Sequence, residues 1–201
     1  MRLVEVYARL RDMEGAVFQT GDASAWMNIS QAHASQLLSR LAEFGHLIHL
    51  KRGIWAFRDR VELMALPQHL TDPFPSYVSL QSALYYHGLI SQIPVITYAV
   101  SIARTKRYET PLGIISVHHV HPSFFFGYEA RDNAGIKIAT PEKALIDFLY
   151  LSPAKSRLFH SLPELELPKT FKIKEARHMI SFIRSVRRRK LVRDHLEKLI
   201  S

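Results

Sequence analysis

The chain has 201 residues, 47% of them hydrophobic, and no cysteine. That composition supports packed cores and excludes global disorder, a disulfide framework, thiolate metal sites and a cysteine nucleophile. The formal net charge of +9 is unevenly spread: residues 1–60 hold eight basic against six acidic residues, 61–168 eight against nine, and 169–201 eleven against three.

Leu3, Val6, Tyr7, Leu10 and Met13 recur at helical spacing, and Gly15 ends the run. The early charges of Arg2 and Glu5 leave no room for an apolar signal core. Val17 to Thr20 reads as a short extended piece, Asp22 to Met27 as a short helix, and Asn28-Ile29 as a turn. Ser30 is an N-cap for a helix that runs to about Phe44, closed by Gly45. Its inner stripe is Ala34, Leu37, Leu38, Leu41 and Phe44 or Gly45. Two β-prone runs, Leu47 to Leu50 and Ile54 to Phe57, flank Lys51-Arg52-Gly53 and predict a hairpin with a basic tip. Short helix, turn, longer helix and basic hairpin together predict a winged helix-turn-helix over residues 1–66.

Pro67, Pro73 and Pro75 then mark a linker or ordered loop. Nothing between Pro73 and Ala103 is charged, but Gln81, His87, Gln92 and Pro94 interrupt it. No run of about 18 apolar residues exists there, so buried elements are expected, not a membrane span. The spacing predicts a helix over 80–87, strands over 95–102, 114–120 and 135–139, and a helix opened by Thr140-Pro141. From Lys169 two helical stripes, out of phase, predict two helices or one broken near Arg187-Arg188-Arg189-Lys190. The expected fold class is α+β: an N-terminal winged helix-turn-helix, then a mixed α/β domain over 67–201 ending in a basic helical tail.

The outer face of the 30–44 helix is polar. In a helix-turn-helix this face enters the major groove, where Gln bonds adenine and Arg bonds guanine. The candidate contacts to double-stranded DNA are Ser30, Gln31, His33, Ser35, Gln36, Ser39 and Arg40, with Lys51 and Arg52 at the wing reaching phosphates. Arg184, Arg187, Arg188, Arg189, Lys190 and Arg193 are candidates for phosphate or partner contact, and the tail is expected to add electrostatic affinity for DNA. His118, His119 and His121 lack a third ligand at metal spacing, so no metal and no cofactor are expected. Glu142, Lys143 and Asp147 share one helix and read as helix-start charge and surface pairing, with an inward Asp147 as the alternative. There is no phosphate-binding glycine loop, no Gly-x-Ser-x-Gly elbow, no Asp-x-Asp and no acidic-x-Lys triplet, so no catalytic residue is assigned.

Tyr77-Val78-Ser79-Leu80-Gln81-Ser82-Ala83-Leu84-Tyr85-Tyr86-His87-Gly88-Leu89 and Thr140-Pro141-Glu142-Lys143-Ala144-Leu145-Ile146-Asp147 resemble two signatures of AbiEi-type antitoxins of type IV toxin–antitoxin systems. The likeness extends along the chain in the same order of parts. It implies a cytoplasmic, non-enzymatic protein that represses its own promoter at repeated sites. It also implies a second activity, countering a nucleotidyltransferase-like toxin directly or functionally, and no membrane partner. The alternatives are a stand-alone winged-helix transcription factor and a DNA-acting nuclease.

Overall fold

The computed structural model describes residues 2–131, 135–152 and 164–200. It is a mixed α+β protein with two sheets. The N-terminal part runs α1 (Leu3–Arg11), β1 (Val17–Gln19), α2 (Thr20–Met27), α3 (Gln31–Glu43), β2 (Leu47–Lys51) and β3 (Ile54–Phe57). Its strands form an antiparallel three-stranded sheet in the order β1-β3-β2. The expected stripe of α3 is buried as far as Leu41, with Ala34, Leu37, Leu38 and Leu41 packing with Val6, Leu10, Phe18, Trp55 and Phe57; its expected last member, Phe44, is the C-cap and is 67% exposed. Each of Leu38 and Leu41 contributes roughly 1.5–3 kcal/mol by leaving water.

The proline-rich stretch is not an open linker. It passes through a 3-10 turn (Leu63–Ala65) into α4 (Leu66–Thr71), with Pro67 buried at the helix start. Beyond it come β4 (Ser76–Val78), α5 (Leu80–Tyr86), β5 (Ile96–Ser101), β6 (Lys106–Thr110), β7 (Gly113–His119), β8 (Tyr128–Arg131), β9 (Ile136–Ala139), α6 (Pro141–Leu151), α7 (Ile173–Ile180) and α8 (Val186–Ile200). Strands β4 to β9 make a six-stranded mixed sheet in the order β6-β7-β5-β4-β9-β8. The pairs β5–β7 and β4–β9 are parallel; the others are antiparallel. The strands β4, β6 and β8 were not expected. They are short or polar, and β6 and β8 lie at the sheet edges, where burial leaves little alternation to read.

The tail is two helices, and its break falls at Ser181–Ser185, before the basic run. Val186 is 76% exposed, and the basic run forms the opening turn of α8.

Successive residues of a strand face opposite sides of its sheet. On one side of the large sheet, Tyr98 and Val100 of β5 pack with α5, α6, Ala176 and Ile180 of α7, and Val192 and Leu196 of α8. On the other side, Ala99, Ile115 and Val117 pack with Ile48, Leu50 and Ala56 of the small sheet, with Val61, Leu66 and Leu70 in the same cluster. The small sheet and the C-terminal helices therefore lie on opposite faces of the large sheet.

Candidate nucleic-acid interface

Helix α3 begins where the sequence requires. Ser30 is extended (φ −65°, ψ 150°), and its hydroxyl accepts from the His33 N–H at 3.3 Å, satisfying one of the free donors of the first turn. The turn before it is held on both sides: Asn28 adopts φ 55°, the Ile29 N–H donates to the Ser24 carbonyl at 3.1 Å, and Ser24 Oγ donates to the Ile29 carbonyl at 2.6 Å. With the inner stripe buried, Ser30, Gln31, His33, Ser35, Gln36, Ser39 and Arg40 are all exposed. Neither Gln36 nor Arg40 has a side-chain partner among the described residues. These side chains are free to meet a ligand with hydrogen-bonding edges.

The start of α3 and the tip of the β2–β3 hairpin share one edge of the protein. A Cβ on Gly21 would stand 3.7 Å from Gln31 Nε2, so the Gln31 side chain lies close to the first turn of α2. The Thr20 N–H donates to the Gly53 carbonyl at 2.9 Å, and Trp55 Nε1 donates to Thr20 Oγ1 at 2.9 Å. Gly53 (φ 76°) makes the hairpin turn, with Arg52 exposed beside it.

Lys51 departs from expectation. A register shift between His49 and Lys51 interrupts the pairing of β2 with β3, and the Lys51 ammonium donates to the carbonyls of Leu70 at 3.1 Å and Asp72 at 3.4 Å. These carbonyls end α4, where a cation meets the negative end of the helix dipole. Lys51 clamps the small sheet to the end of α4 and is half-buried; of the two expected tip cations, Arg52 is the exposed one.

The basic tail does not join this surface, because the large sheet lies between them. Several of its cations also have structural tasks. Arg184 donates to His121 Nε2 at 3.1 Å. Arg188 donates to the Tyr150 carbonyl at 3.4 Å and lies 5.0 Å from the Tyr150 ring centroid. Arg189 Nε donates to the Ile183 carbonyl at 2.9 Å. Arg187, Lys190 and Arg193 are exposed on α8.

The two stretches Tyr77–Leu89 and Thr140–Asp147 meet in one buried cluster. Thr140 Oγ1 accepts from the Lys143 N–H at 3.2 Å and Pro141 opens the helix, as its sequence predicts. One turn later Lys143 and Asp147, both fully buried, form an ion pair. The Asp147 carboxylate also accepts from Ser79 Oγ at 2.8 Å and Tyr77 OH at 3.0 Å. Lys143 Nζ stands 3.8 Å from the Phe124 ring centroid, a cation–π contact. Burial pushes the Asp147 carboxyl up, against the pull of Lys143, and pushes the Lys143 ammonium down. Buried Glu142 accepts from the Lys172 N–H at 2.8 Å and so fixes the approach to α7. Surface pairing for Glu142, Lys143 and Asp147 is thereby overturned, and the inward Asp147 stands. With no solvent at either charge, this cluster builds the fold and offers no reacting group to a substrate.

The three histidines separate. His118 is buried beside Ser116 Oγ (3.0 Å), and burial lowers it to about 4. His119 Nδ1 serves the Ile102 and Ala103 carbonyls, and His121 Nδ1 lies 2.9 Å from Ser123 Oγ. No group of three metal-ligating side chains forms among the described residues. No described helix is long and apolar enough to cross a membrane.

Two surfaces went unassigned in the sequence. Arg104, Lys106 and Arg107 are exposed at the β5–β6 turn; three cations in four residues were the available signal. Tyr85, Tyr86, Ile93 and Val95 are exposed on an uncharged stretch, Val95 to 90%. No family model and no curated protein matches the chain.

Proposed function

We propose that the protein is a DNA-binding transcriptional regulator whose N-terminal part is a winged helix-turn-helix, with α3 as recognition helix and β2–β3 as wing. One observation carries this reading: the Thr20 to Gly53 hydrogen bond, with Gln31 lying close to Gly21 beside it, brings the polar start of α3 near the hairpin tip. A helix entering the major groove and a hairpin touching the neighbouring backbone need that adjacency. Gln31, Gln36 and Arg40 read base edges; Ser30, Ser35, Ser39 and His33 lie close to the backbone; Arg52 holds a phosphate.

The resemblance to AbiEi-type antitoxins extends the proposal. The regulator acts at repeats in its own promoter, and the second region counters a nucleotidyltransferase-like toxin. Two features suit a protein partner there: the apolar surface of Tyr85, Tyr86, Ile93 and Val95, and the exposed cations Arg187, Lys190 and Arg193, which face away from the DNA edge. The Lys143–Asp147 cluster accounts for both signature stretches structurally, which favours a binding role over a catalytic one.

The test is a gel-shift titration of the full-length protein on its own upstream DNA and on an unrelated duplex. Gln36→Ala with Arg40→Ala should abolish the preference, each missing bidentate pair costing about 1–3 kcal/mol, while weak salt-sensitive binding persists. Undiminished preference in that variant would remove α3 from the recognition role. The toxin arm is tested by co-expression with a nucleotidyltransferase-like gene adjacent to this one; growth arrest that the protein does not relieve would limit it to transcription.

A further inference from the structure

The N-terminal part carries almost balanced charge, eight basic against six acidic residues in 1–60, and Lys51 is committed to carbonyls. Phosphate neutralisation supplies most non-specific DNA affinity. The tail, eleven basic against three acidic residues, sits behind the large sheet. A duplex lying along α3 and the wing must find its counter-charge elsewhere.

The β5–β6 turn is where it is found. We propose that Arg104 and Lys106, the latter on the face of β6 that carries Tyr108 and meets the small sheet, form a second backbone-contacting arm that takes the duplex beyond the wing tip. This inference rests on the DNA-binding reading above.

Three observations place the arm. First, it is tied to the wing. Tyr108 OH donates to the Leu70 carbonyl at 3.2 Å, the same oxygen that Lys51 Nζ bonds, and Lys106 Nζ stands 4.8 Å from the Tyr108 ring centroid. Wing and arm therefore share an anchor at the end of α4. At that same end, Ser101 Oγ donates to the Pro75 carbonyl at 2.7 Å.

Second, the arm is preorganised. The Ala103 N–H donates to Ser101 Oγ at 3.0 Å, the His119 N–H donates to Thr105 Oγ1 at 3.0 Å, and His119 Nδ1 lies 3.1 and 3.0 Å from the Ile102 and Ala103 carbonyls. A backbone held this way presents its cations at little further entropic cost.

Third, the charge is locally one-sided. Arg104 and Lys106 are exposed, and the acidic residue of the strand, Glu109, pairs with Arg107 at 3.6 Å on the opposite face of β6. Cations on an edge strand also guard it against pairing with another sheet. That role alone needs neither the shared anchor nor the fixed turn, and it leaves DNA binding unaffected.

The experiment is fluorescence anisotropy of the full-length protein on its upstream duplex, titrated against KCl. Arg104→Ser/Lys106→Ser should lower the slope of log K against log salt by about 1–2, near one for each phosphate no longer neutralised, and leave sequence preference intact. A duplex shortened on the wing side should show the reduced slope with the wild-type protein and no further loss with the double variant. Single Arg104→Ser and a thermal melt guard against misfolding; a drop near one unit with an unchanged melt supports the arm. An unchanged slope in the Arg104→Ser/Lys106→Ser variant, on a duplex where Gln36→Ala/Arg40→Ala loses preference, overturns the arm and leaves the DNA reading standing. No salt-dependent binding by the wild type overturns both.

Discussion

Asp147 and Lys143 stand one helical turn apart on α6 and pair without any solvent contact. The remaining capacity of the carboxylate goes to Ser79 and Tyr77, and the ammonium lies on the face of Phe124. Taking two charges out of water is repaid only by such complete pairing. Gly127, at φ 74°, lets the chain pass the Lys143 stem: a Cβ there would lie 3.0 Å from its Cγ.

Removing one partner leaves the other buried and uncompensated. Asp147→Ala should therefore cost about 3–5 kcal/mol in urea denaturation. Lys143→Met with Asp147→Leu should recover a good part of that loss, since an apolar pair of similar volume needs no solvation. A single-site cost below about 1 kcal/mol would mean that water reaches the cluster.

His118 makes stability depend on pH. Its folded value, about 4, lies below the unfolded 6.5, so acid favours the unfolded chain, which takes the proton that the folded one refuses. The contribution is whole above pH 6.5 and is lost as pH falls to 4, a change of up to about 3 kcal/mol. His69, also lowered by burial, titrates in an overlapping window, so His118→Asn should reduce the dependence without removing it. Denaturation curves at pH 4.5, 5.5 and 7 read this directly; identical pH profiles for the two proteins would place His118 in contact with water.

Lys51 and Arg52 are neighbours with opposite expected readouts. Lys51→Met should lower stability by about 1–2 kcal/mol through the uncapped carbonyls of Leu70 and Asp72. Its effect on the salt dependence of DNA binding should be small. Arg52→Ala should lower that slope by about 1 and leave stability within about 0.5 kcal/mol. The reverse pattern would put the Lys51 ammonium on phosphate.

Local periodicity was a sound guide wherever the reason for an element was local. The α3 stripe, the Ser30 cap, the Gly53 turn and the Thr140-Pro141 helix start each depend on residues within a few positions, and all four stand in the structure. The same reading failed for Glu142, Lys143 and Asp147, because carboxylate and ammonium at i and i+4 look identical whether the face is solvated or covered. It failed for β6 and β8 because they are short, rich in charged residues and have no buried residue, so no apolar pattern marks them.

By itself the sequence determined which face of α3 is apolar and which polar, and so where base-reading side chains would have to be. It could not say which cations share a surface with that face. Sequence order puts Lys51 beside Arg52 and the tail's charge far downstream. Tertiary structure turns Lys51 into a clamp on α4 and sets the tail behind the large sheet. It also brings Arg104 and Lys106 to the end where the wing is anchored. The physical reason is that charge acts through space: its neighbours are fixed by which side of a sheet each element covers, and that is decided by long-range burial.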